Sequence, residues 1–291
     1  WPDSDLDFYA FSPISYLDTY SPTMANDAQA ITCKTDGSVD LLYAVTRGQT
    51  KANNAEGVSL NFRHAFSQLL FRATNSNNKL GVNVEGVTLA QTYTKGTFVL
   101  PTQTADNLNN TIANDRTSVG NWSTSAYNDI ANLDANITAQ DIGFRSTANG
   151  GAKYLNTGAT DNGISDIQGL YALPQELKYW NPDAEFTGDE NTAYFIISCK
   201  VWTKTEEGNV YLWGDSTTYK DIAVPVVVPN STDGVNSTFT WKPGYRYVYT
   251  FNFTNGAGYV PPVVDDTDGT DPVLVPIKVN ITVDEFLNGE I

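Results

Sequence analysis

The segment Tyr245-Arg246-Tyr247-Val248-Tyr249-Thr250-Phe251-Asn252-Phe253 places an aromatic residue at every second position. Only an extended strand turns every second side chain to the same side, so this pattern predicts a β-strand with one aromatic face. Pro243-Gly244 precedes the segment and is a turn signal. The sequence therefore predicts a strand whose inner face is built from five rings.

Alternation with a period of two recurs along the chain. Two further long examples are residues 193–201 and residues 273–283. Leu60–Phe71 fits both helical and alternating spacing, and we predict a strand that can contain a bulge there. Shorter runs predict strands at Asp7–Phe11, Val39–Val45, Leu80–Val84, Val87–Ala90 and Ile222–Val228. Turn signals separate the runs at Asp36-Gly37, Lys95-Gly96, Glu207-Gly208-Asn209 and Asn255-Gly256. Many short strands joined by polar turns predict an all-β sandwich architecture.

Charge and rare residues exclude several classes of function. The 291 residues carry 17 Lys and Arg against 33 Asp and Glu, a net charge of 17 − 33 = −16. Such a chain is repelled by nucleic acid and by anionic membrane surfaces. His64 is the single histidine, which excludes zinc sites built from several histidines. Cys33 and Cys199 lie in apolar or alternating runs, and we favour two buried free thiols over a disulfide.

Composition also predicts how the chain is divided. Residues 103–168 are rich in Asn, Thr, Ser, Ala and Gly, and predict a long polar insertion with marginal elements around Trp122, Tyr127 and Ile142. Apolar density returns at Leu170, so we predict an N-terminal domain at residues 1–168 and a C-terminal domain at residues 169–291. The acidic, proline-containing stretch 256–272 predicts a hinge before the regular strand 273–283.

No residue pattern predicts catalysis, a metal or a cofactor. The acidic run before Pro272 would place Val264 and Val275 at the end positions of a calcium loop, where neither can coordinate. His64 lies in the apolar stretch 62–66, where a structural histidine bonded to backbone is the favoured interpretation over a general base. Two tryptophans that flank a predicted hairpin, Trp202 and Trp213, are candidates for stacking on a ligand.

Six segments, in order, resemble the fimbrillin family of Bacteroidales, the subunits of type V pili. Each of six family motifs has a counterpart in this chain. The motifs are an early strand, a "DLLxA" strand, a histidine-containing strand, a "GTF" hairpin, an "LPQ" motif and a closing "WxPGxxY" strand. These counterparts are Trp1–Pro13, Val39–Ala44, Leu60–Gln68, Val84–Leu89 with Gly96-Thr97-Phe98, Leu173-Pro174-Gln175 and Trp241–Tyr247.

The resemblance implies two tandem transthyretin-like, Greek-key β-sandwich domains. It also implies export as a lipoprotein, removal of an N-terminal strand and its lipid anchor, and polymerisation by donor-strand exchange on the outer membrane of a Gram-negative anaerobe. A strand with alternating apolar side chains suits that role, since it satisfies both the open backbone edge and the apolar trough of a neighbour. The expected donor or terminal strand presents Val273, Val275, Ile277, Val279, Ile281 and Val283.

We therefore expect a non-enzymatic structural subunit of a pilus or fimbria whose partners are other pilus subunits. The alternative is a cell-surface adhesin or glycan-binding module that does not polymerise, with a host or bacterial glycan or protein as its partner. A chain that starts at Trp1 without Met fits prior removal of an N-terminal segment.

Overall fold

The computed structural model is all-β. It describes residues 1–14, 17–19, 30–52, 57–101, 104, 120–142, 152–158, 168–184, 186, 192–228, 237–254, 256–262, 272–274 and 278–285. Within these ranges there is no α-helix, and hence no helix that could cross a membrane. The predicted fold class, an all-β chain with a sandwich architecture, is confirmed, while the transthyretin-like topology stays a prediction.

Twenty strands are present among these residues. They are β1 Leu6–Ser12, β2 Leu17–Thr19, β3 Ala30–Lys34, β4 Leu42–Gln49, β5 Arg63–His64, β6 Ser67–Thr74, β7 Leu80–Val99, β8 Asn121–Asp134, β9 Gln140–Asp141, β10 Lys153–Tyr154, β11 Leu170–Ala172, β12 Glu176–Lys178, β13 Tyr194–Thr205, β14 Gly208–Trp213, β15 Lys220–Pro225, β16 Thr238–Thr240, β17 Tyr245–Asn252, β18 Gly256–Tyr259, β19 Pro272–Leu274 and β20 Lys278–Glu285.

Two large sheets form the sandwich. Ten strands belong to the first, with the main path β19-β18-β15-β13-β7-β3-β2. Five strands belong to the second, with the path β10-β6-β17-β20 and β11 also on β6. Strand β17 runs parallel to β6 and antiparallel to β20. The aromatic alternation that predicted β17 is confirmed, and its Tyr247, Tyr249 and Phe251 are buried.

The inner faces of these two sheets meet in a large core. Phe195 of the first sheet lies between rings of the second, with centroid distances of 5.2 Å to Phe71, 4.8 Å to Tyr249 and 5.6 Å to Phe251. Aromatic pairs prefer such edge-to-face geometry, which adds to the stabilisation from burial. The alternation of apolar residues in β13 and in β17 is therefore explained by one apolar layer that the two sheets share.

A small core lies beside the third sheet, whose strand order is β1-β4-β5. Strands β3, β7 and β8 complete it with residues that include Cys33, Phe98 and Trp122. Its buried members are Ile31, Cys33, Leu41, Tyr43, Val45, Ala65, Phe66, Phe98, Leu100, Trp122 and Leu173. Tyr9 and Phe11 of β1 pack against this core and are themselves partly exposed.

The same chain segments supply both cores. On β7, Leu89 belongs to the large core and Phe98 to the small core. Strand β7 pairs with β13, and β6 pairs with β17, so both ladders join residues on the two sides of residue 169. The division into domains at residue 169 stays a prediction, and the backbone pairing is continuous across it.

Two predictions about the polar regions are wrong in detail. Lys95-Gly96 is not a turn, because β7 continues through it with a register shift between Lys95 and Thr97. A glycine inside a strand commonly marks such a bulge. In place of marginal elements around Trp122 and Tyr127, β8 is a strand of 14 residues paired with β7. Trp122 and Leu133 of β8 are buried and hold it in place, although the polar composition of this segment did not indicate a strand.

The predicted hinge 256–272 also contains regular structure. Its first four residues form β18, which pairs with β15 and with β19. Small residues allow this, since Gly258 has φ of +148° and a Cβ there would lie 2.9 Å from the Ala223 carbonyl oxygen. Residues 263–271 lie outside the described ranges, so the acidic part of the hinge is untested.

Candidate functional site

The candidate assembly site is β20, which is the outermost of the described strands on one side of the five-stranded sheet. Its eight residues pair in register with β17, from Tyr245 opposite Glu285 to Asn252 opposite Lys278. Val279 and Ile281 pack against the large core and are partly buried, whereas Val283 is 46% exposed. The apolar face of β20 is therefore engaged at one end and open at the other.

The structure divides the predicted strand 273–283 between two sheets. Val273 lies in β19, which pairs with β18 of the ten-stranded sheet. Val279, Ile281 and Val283 lie in β20 of the five-stranded sheet. Val275 and Ile277 fall outside the described residues, together with Pro276. A single strand of 11 residues is thus replaced by two shorter ones, because each sheet offers a separate edge.

Two hydrogen bonds hold tyrosine side chains of β17, the strand that pairs with β20. Trp241 Nε1 donates to Tyr249 Oη at 2.9 Å, and the Lys242 backbone N–H donates to Tyr247 Oη at 2.8 Å. Burial raises the pKa of Tyr249, so this phenol stays protonated. These bonds give the buried phenol oxygens hydrogen-bond partners and orient the tyrosine side chains of β17.

The two candidate stacking tryptophans are not brought together. Trp202 lies opposite Tyr211 in the β13–β14 ladder, and Trp213 lies opposite Val201. Because successive strand residues point to opposite faces, the two indoles lie on opposite sides of the sheet. Trp213 packs against the large core, and its Nε1 donates to the Lys220 carbonyl oxygen at 3.1 Å. Only Trp202 faces outward.

Sequence reasoning missed the residues that accompany Trp202 on that outer face. Tyr211 lies beside it, with ring centroids 6.0 Å apart. One row away, Tyr219 Oη donates to Asn83 Oδ1 at 3.0 Å, and Lys200 Nζ lies 4.4 Å from the Tyr219 ring centroid. The hairpin alternation could have placed Tyr211 beside Trp202, but Asn83 comes from a distant strand that no local pattern connects to it.

His64 pairs with a carboxylate that the sequence did not indicate. Its Nδ1 is bonded to Asp40 Oδ2, and both side chains are largely buried. Burial raises the pKa of Asp40, while the hydrogen bond and charge of His64 lower it again in part. The pair therefore links Asp40, which precedes β4, to His64 of β5. The expected structural histidine is therefore bonded to a side chain.

Both cysteines are buried free thiols, as predicted. Burial raises the pKa of Cys33 to about 12 and also raises that of Cys199. In the part of the chain that the structure describes, no group of three or more His, Cys, Asp or Glu side chains is placed to hold a metal ion.

Comparison with known proteins gives one match over nearly the whole chain. A family model described as fimbrillin-like matches residues 1–282. No curated protein sequence matches.

Several solved structures are distantly similar. One, from Bacteroides uniformis ATCC 8492, is provisionally described as a cell adhesion protein; it is 12% identical with a TM-score of 0.40, over 97% of this chain and 73% of that one. Another, with the same description, comes from Parabacteroides distasonis ATCC 8503; it is 11% identical with a TM-score of 0.40, over 88% and 75% of the two chains. Similarity this distant carries no argument about function.

Proposed function

The chain belongs to the fimbrillin-like family, and on that premise we propose that it is a structural, non-enzymatic subunit of a bacterial surface fimbria that polymerises by donor-strand exchange. Its partners are then other subunits of the same fibre. In this proposal β20 is the strand that passes from one subunit to the next. The expected donor residues among those described in β20 are Val279, Ile281 and Val283.

The edge position of β20 supports this role most directly. It pairs on one side with β17 through eight residues, and two of its apolar side chains are only partly buried. Full burial of an aliphatic side chain contributes roughly 1.5–3 kcal/mol, so Val279 and Ile281 contribute less than that each. A strand held in this way leaves and rebinds more readily than β17, which is paired on both sides.

Exchange between subunits has a simple physical basis. A β-strand that leaves its own sheet loses a ladder of main-chain hydrogen bonds, and it regains a similar ladder at the edge of a neighbour. The acceptor edge then lies in the sheet that contains β1, whose Tyr9 and Phe11 cover the small core and are themselves partly exposed. Removal of β1 by N-terminal processing would uncover that core.

Localisation follows the same proposal. A fimbrial subunit acts at the cell surface, and export as a lipoprotein to the outer membrane stays a prediction from the family resemblance. The net charge of −16 suits a protein that extends away from an anionic surface.

A reversible cross-link between β17 and β20 tests the donor role without changing the core. Thr250 and Asn280 are directly opposite in the ladder. Paired residues in an antiparallel sheet have Cα atoms about 4.5–5.5 Å apart, within the range of a disulfide. The double variant Thr250→Cys with Asn280→Cys should therefore lock β20 to its own chain when oxidised.

The measurement is fibre formation after N-terminal trimming, followed by electron microscopy and by SDS-resistant ladders on gels. The oxidised double variant should form no fibres, and the same sample should form them after reduction. The single variant Asn280→Cys, treated identically, is the matched control. Equal fibre formation by the oxidised and reduced samples would show that β20 is not the donor.

A further inference from the structure

The outer face of the β13–β14 hairpin presents an ordered group of aromatic and polar side chains that polymerisation does not use. This platform consists of Asn83, Lys200, Trp202, Tyr211 and Tyr219. Register places four of them in two adjacent rows, with Lys200 opposite Asn83 in one and Trp202 between Gly81 and Tyr211 in the other. Tyr219 contacts Asn83 and Lys200 of the first row. Three rings therefore share one side of the sheet, facing away from the large core.

Trp202 lies directly over a glycine. A Cβ added to Gly81 would lie 2.3 Å from Trp202 Cε2 and 2.7 Å from its Cζ2, so the indole occupies the space above that backbone. Tyr211 flanks it with ring planes tilted by 43°. Since Trp202 remains partly exposed while its inner side rests on Gly81, the exposed part of the ring is held in a fixed orientation.

The second row is fixed by polar contacts. Tyr219 Oη donates to Asn83 Oδ1, which orients the amide so that its NH₂ group remains as a donor. Lys200 Nζ lies over the Tyr219 ring and donates to the Ser216 carbonyl oxygen at 3.1 Å. The platform therefore combines held rings with an oriented amide and an ammonium, at little entropic cost on binding.

We propose that this platform binds a neutral carbohydrate chain. The negative face of an aromatic ring attracts the polarised C–H groups on the flat side of a sugar, while the amide and ammonium donate to its hydroxyl groups. A chain with net charge −16 disfavours anionic polysaccharides. On the same side of the sheet the two lysines, Lys200 and Lys204, are matched by two carboxylates, Asp221 opposite Ser198 and Asp141 opposite Asn83, which favours an uncharged ligand. This activity is independent of strand exchange.

Saturation-transfer NMR with purified full-length protein tests the proposal. The probes are maltohexaose, cellohexaose, mannohexaose and lacto-N-tetraose, with hexagalacturonate as the anionic comparison. At least one neutral probe should bind saturably, and hexagalacturonate should not. Trp202→Ala should weaken the affinity for that neutral probe about tenfold or more, because one ring contact supplies a large part of the free energy of such weak binding.

Further variants separate the platform from a merely structural role. Tyr211→Ala and Asn83→Ala should each weaken binding while circular dichroism and the thermal midpoint stay near those of the wild type, which keeps the test valid if Trp202→Ala misfolds. Trp1→Ala is the matched control, because Trp1 is 50% exposed and lies outside the platform. Failure of all four neutral probes at millimolar concentration would overturn the proposal. So would platform variants that change self-association in sedimentation but leave sugar binding intact.

Discussion

The large core and the small core draw on the same two segments, β6 with its preceding residues and β7, yet they are held together in different ways. In the large core Phe71 contacts three aromatic rings, those of Phe195, Tyr249 and Phe251, at 5.2–6.3 Å between centroids. Twenty-nine buried residues of the described chain belong to this core and eleven to the small one. Apolar burial is therefore concentrated on one side of the molecule.

Hydrogen bonds between side chains and backbone are prominent in the small core. Trp122 Nε1 donates to the Ala65 carbonyl oxygen at 2.8 Å, and the Gly120 N–H donates to Tyr43 Oη at 2.9 Å. Thr104 Oγ1 donates to the Val45 carbonyl oxygen at 3.0 Å and accepts the Val45 N–H at 3.1 Å. A core with less apolar area thus gains definition from buried polar groups with paired partners.

The two cores should differ in their contribution to global stability and in how readily they open. Burial of apolar area supplies most of the free energy of folding, so the large core should set global stability. The small core, with β1 only partly buried on it, should open first. Five experiments, ordered from the largest expected effect to the smallest, test or sharpen this comparison.

Matched phenylalanine truncations compare the two cores directly. Phe71 lies in the large core and Phe66 in the small core, and both are fully buried. Each change to alanine should cost about 3–5 kcal/mol, with Phe71→Ala at the upper end because it leaves a cavity among three rings. Urea unfolding of both variants provides the measurement. A larger loss for Phe66→Ala would reverse the assignment of global stability to the large core.

Gln175 lies between the two cores, because its side chain bonds Leu173 of the small core and its backbone carbonyl oxygen accepts the N–H of Trp241 in the large core. Its Oε1 accepts the Tyr93 N–H at 3.1 Å, and its Nε2 donates to the carbonyl oxygens of Tyr93 and Leu173 at 3.1 and 3.0 Å. Gln175→Met should cost about 2–4 kcal/mol, since each buried backbone group left without a partner costs about 1–3 kcal/mol. Calorimetry should then show a broader transition. The same change at the partly exposed Gln49 is the control, and an equal loss there would refute the special role of Gln175.

The two thiols report the opening of each core separately. Cys33 lies in the small core and Cys199 in the large core, and neither side chain is exposed. Labelling with an aromatic disulfide at neutral pH requires opening, because burial raises the pKa of both thiols. In the single-cysteine variants, Cys33 should react about tenfold faster than Cys199, corresponding to about 1.4 kcal/mol. Equal rates would mean that the cores open as one unit.

The same thiols give a sign for the dependence of stability on pH. The pKa of a cysteine thiol in the unfolded chain is 9.0, and burial raises the pKa of Cys33 to about 12. Above pH 9 the unfolded state loses its thiol protons first, so the stabilisation present below pH 9 declines as the pH rises toward 12. Replacing both cysteines by alanine should reduce that decline in urea unfolding.

The smallest effect is expected outside both cores, at the turn after β14. Asp215 Oδ1 accepts hydrogen bonds from the backbone N–H groups of Thr217 and Thr218 and from the Thr217 hydroxyl, which lowers the pKa of Asp215 to about 2. Asp215→Asn should therefore lower stability slightly at pH 6. The difference in free energy of unfolding between the variant and the wild type should shrink as the pH falls from 3.8 toward 2. The Asp215 carboxylate of the wild type is then protonated in both the folded and the unfolded state. A gap that is constant with pH would exclude this mechanism.

Much of the local structure could be predicted because it depends on neighbours in sequence. Alternation identified β1, β13 and β17, and the apolar surroundings of Cys33 and Cys199 identified two buried thiols. The candidate site was only partly accessible in this way. Trp202 was indicated as a stacking residue, but the second candidate, Trp213, lies on the opposite face. Asn83 lies near Trp202 only because β7 pairs with β13.

The sequence by itself determined that the chain is all-β and which side of β13 and of β17 is apolar, because a strand places successive side chains on opposite faces. It did not determine which strands pair. The parallel ladder of β6 with β17, the division of residues 273–283 between two sheets, and the shared use of β7 by two cores arise from contacts between distant segments. Only tertiary structure decided that Gln175 and Thr104 are buried, since a polar side chain is placed inside when distant backbone groups need partners.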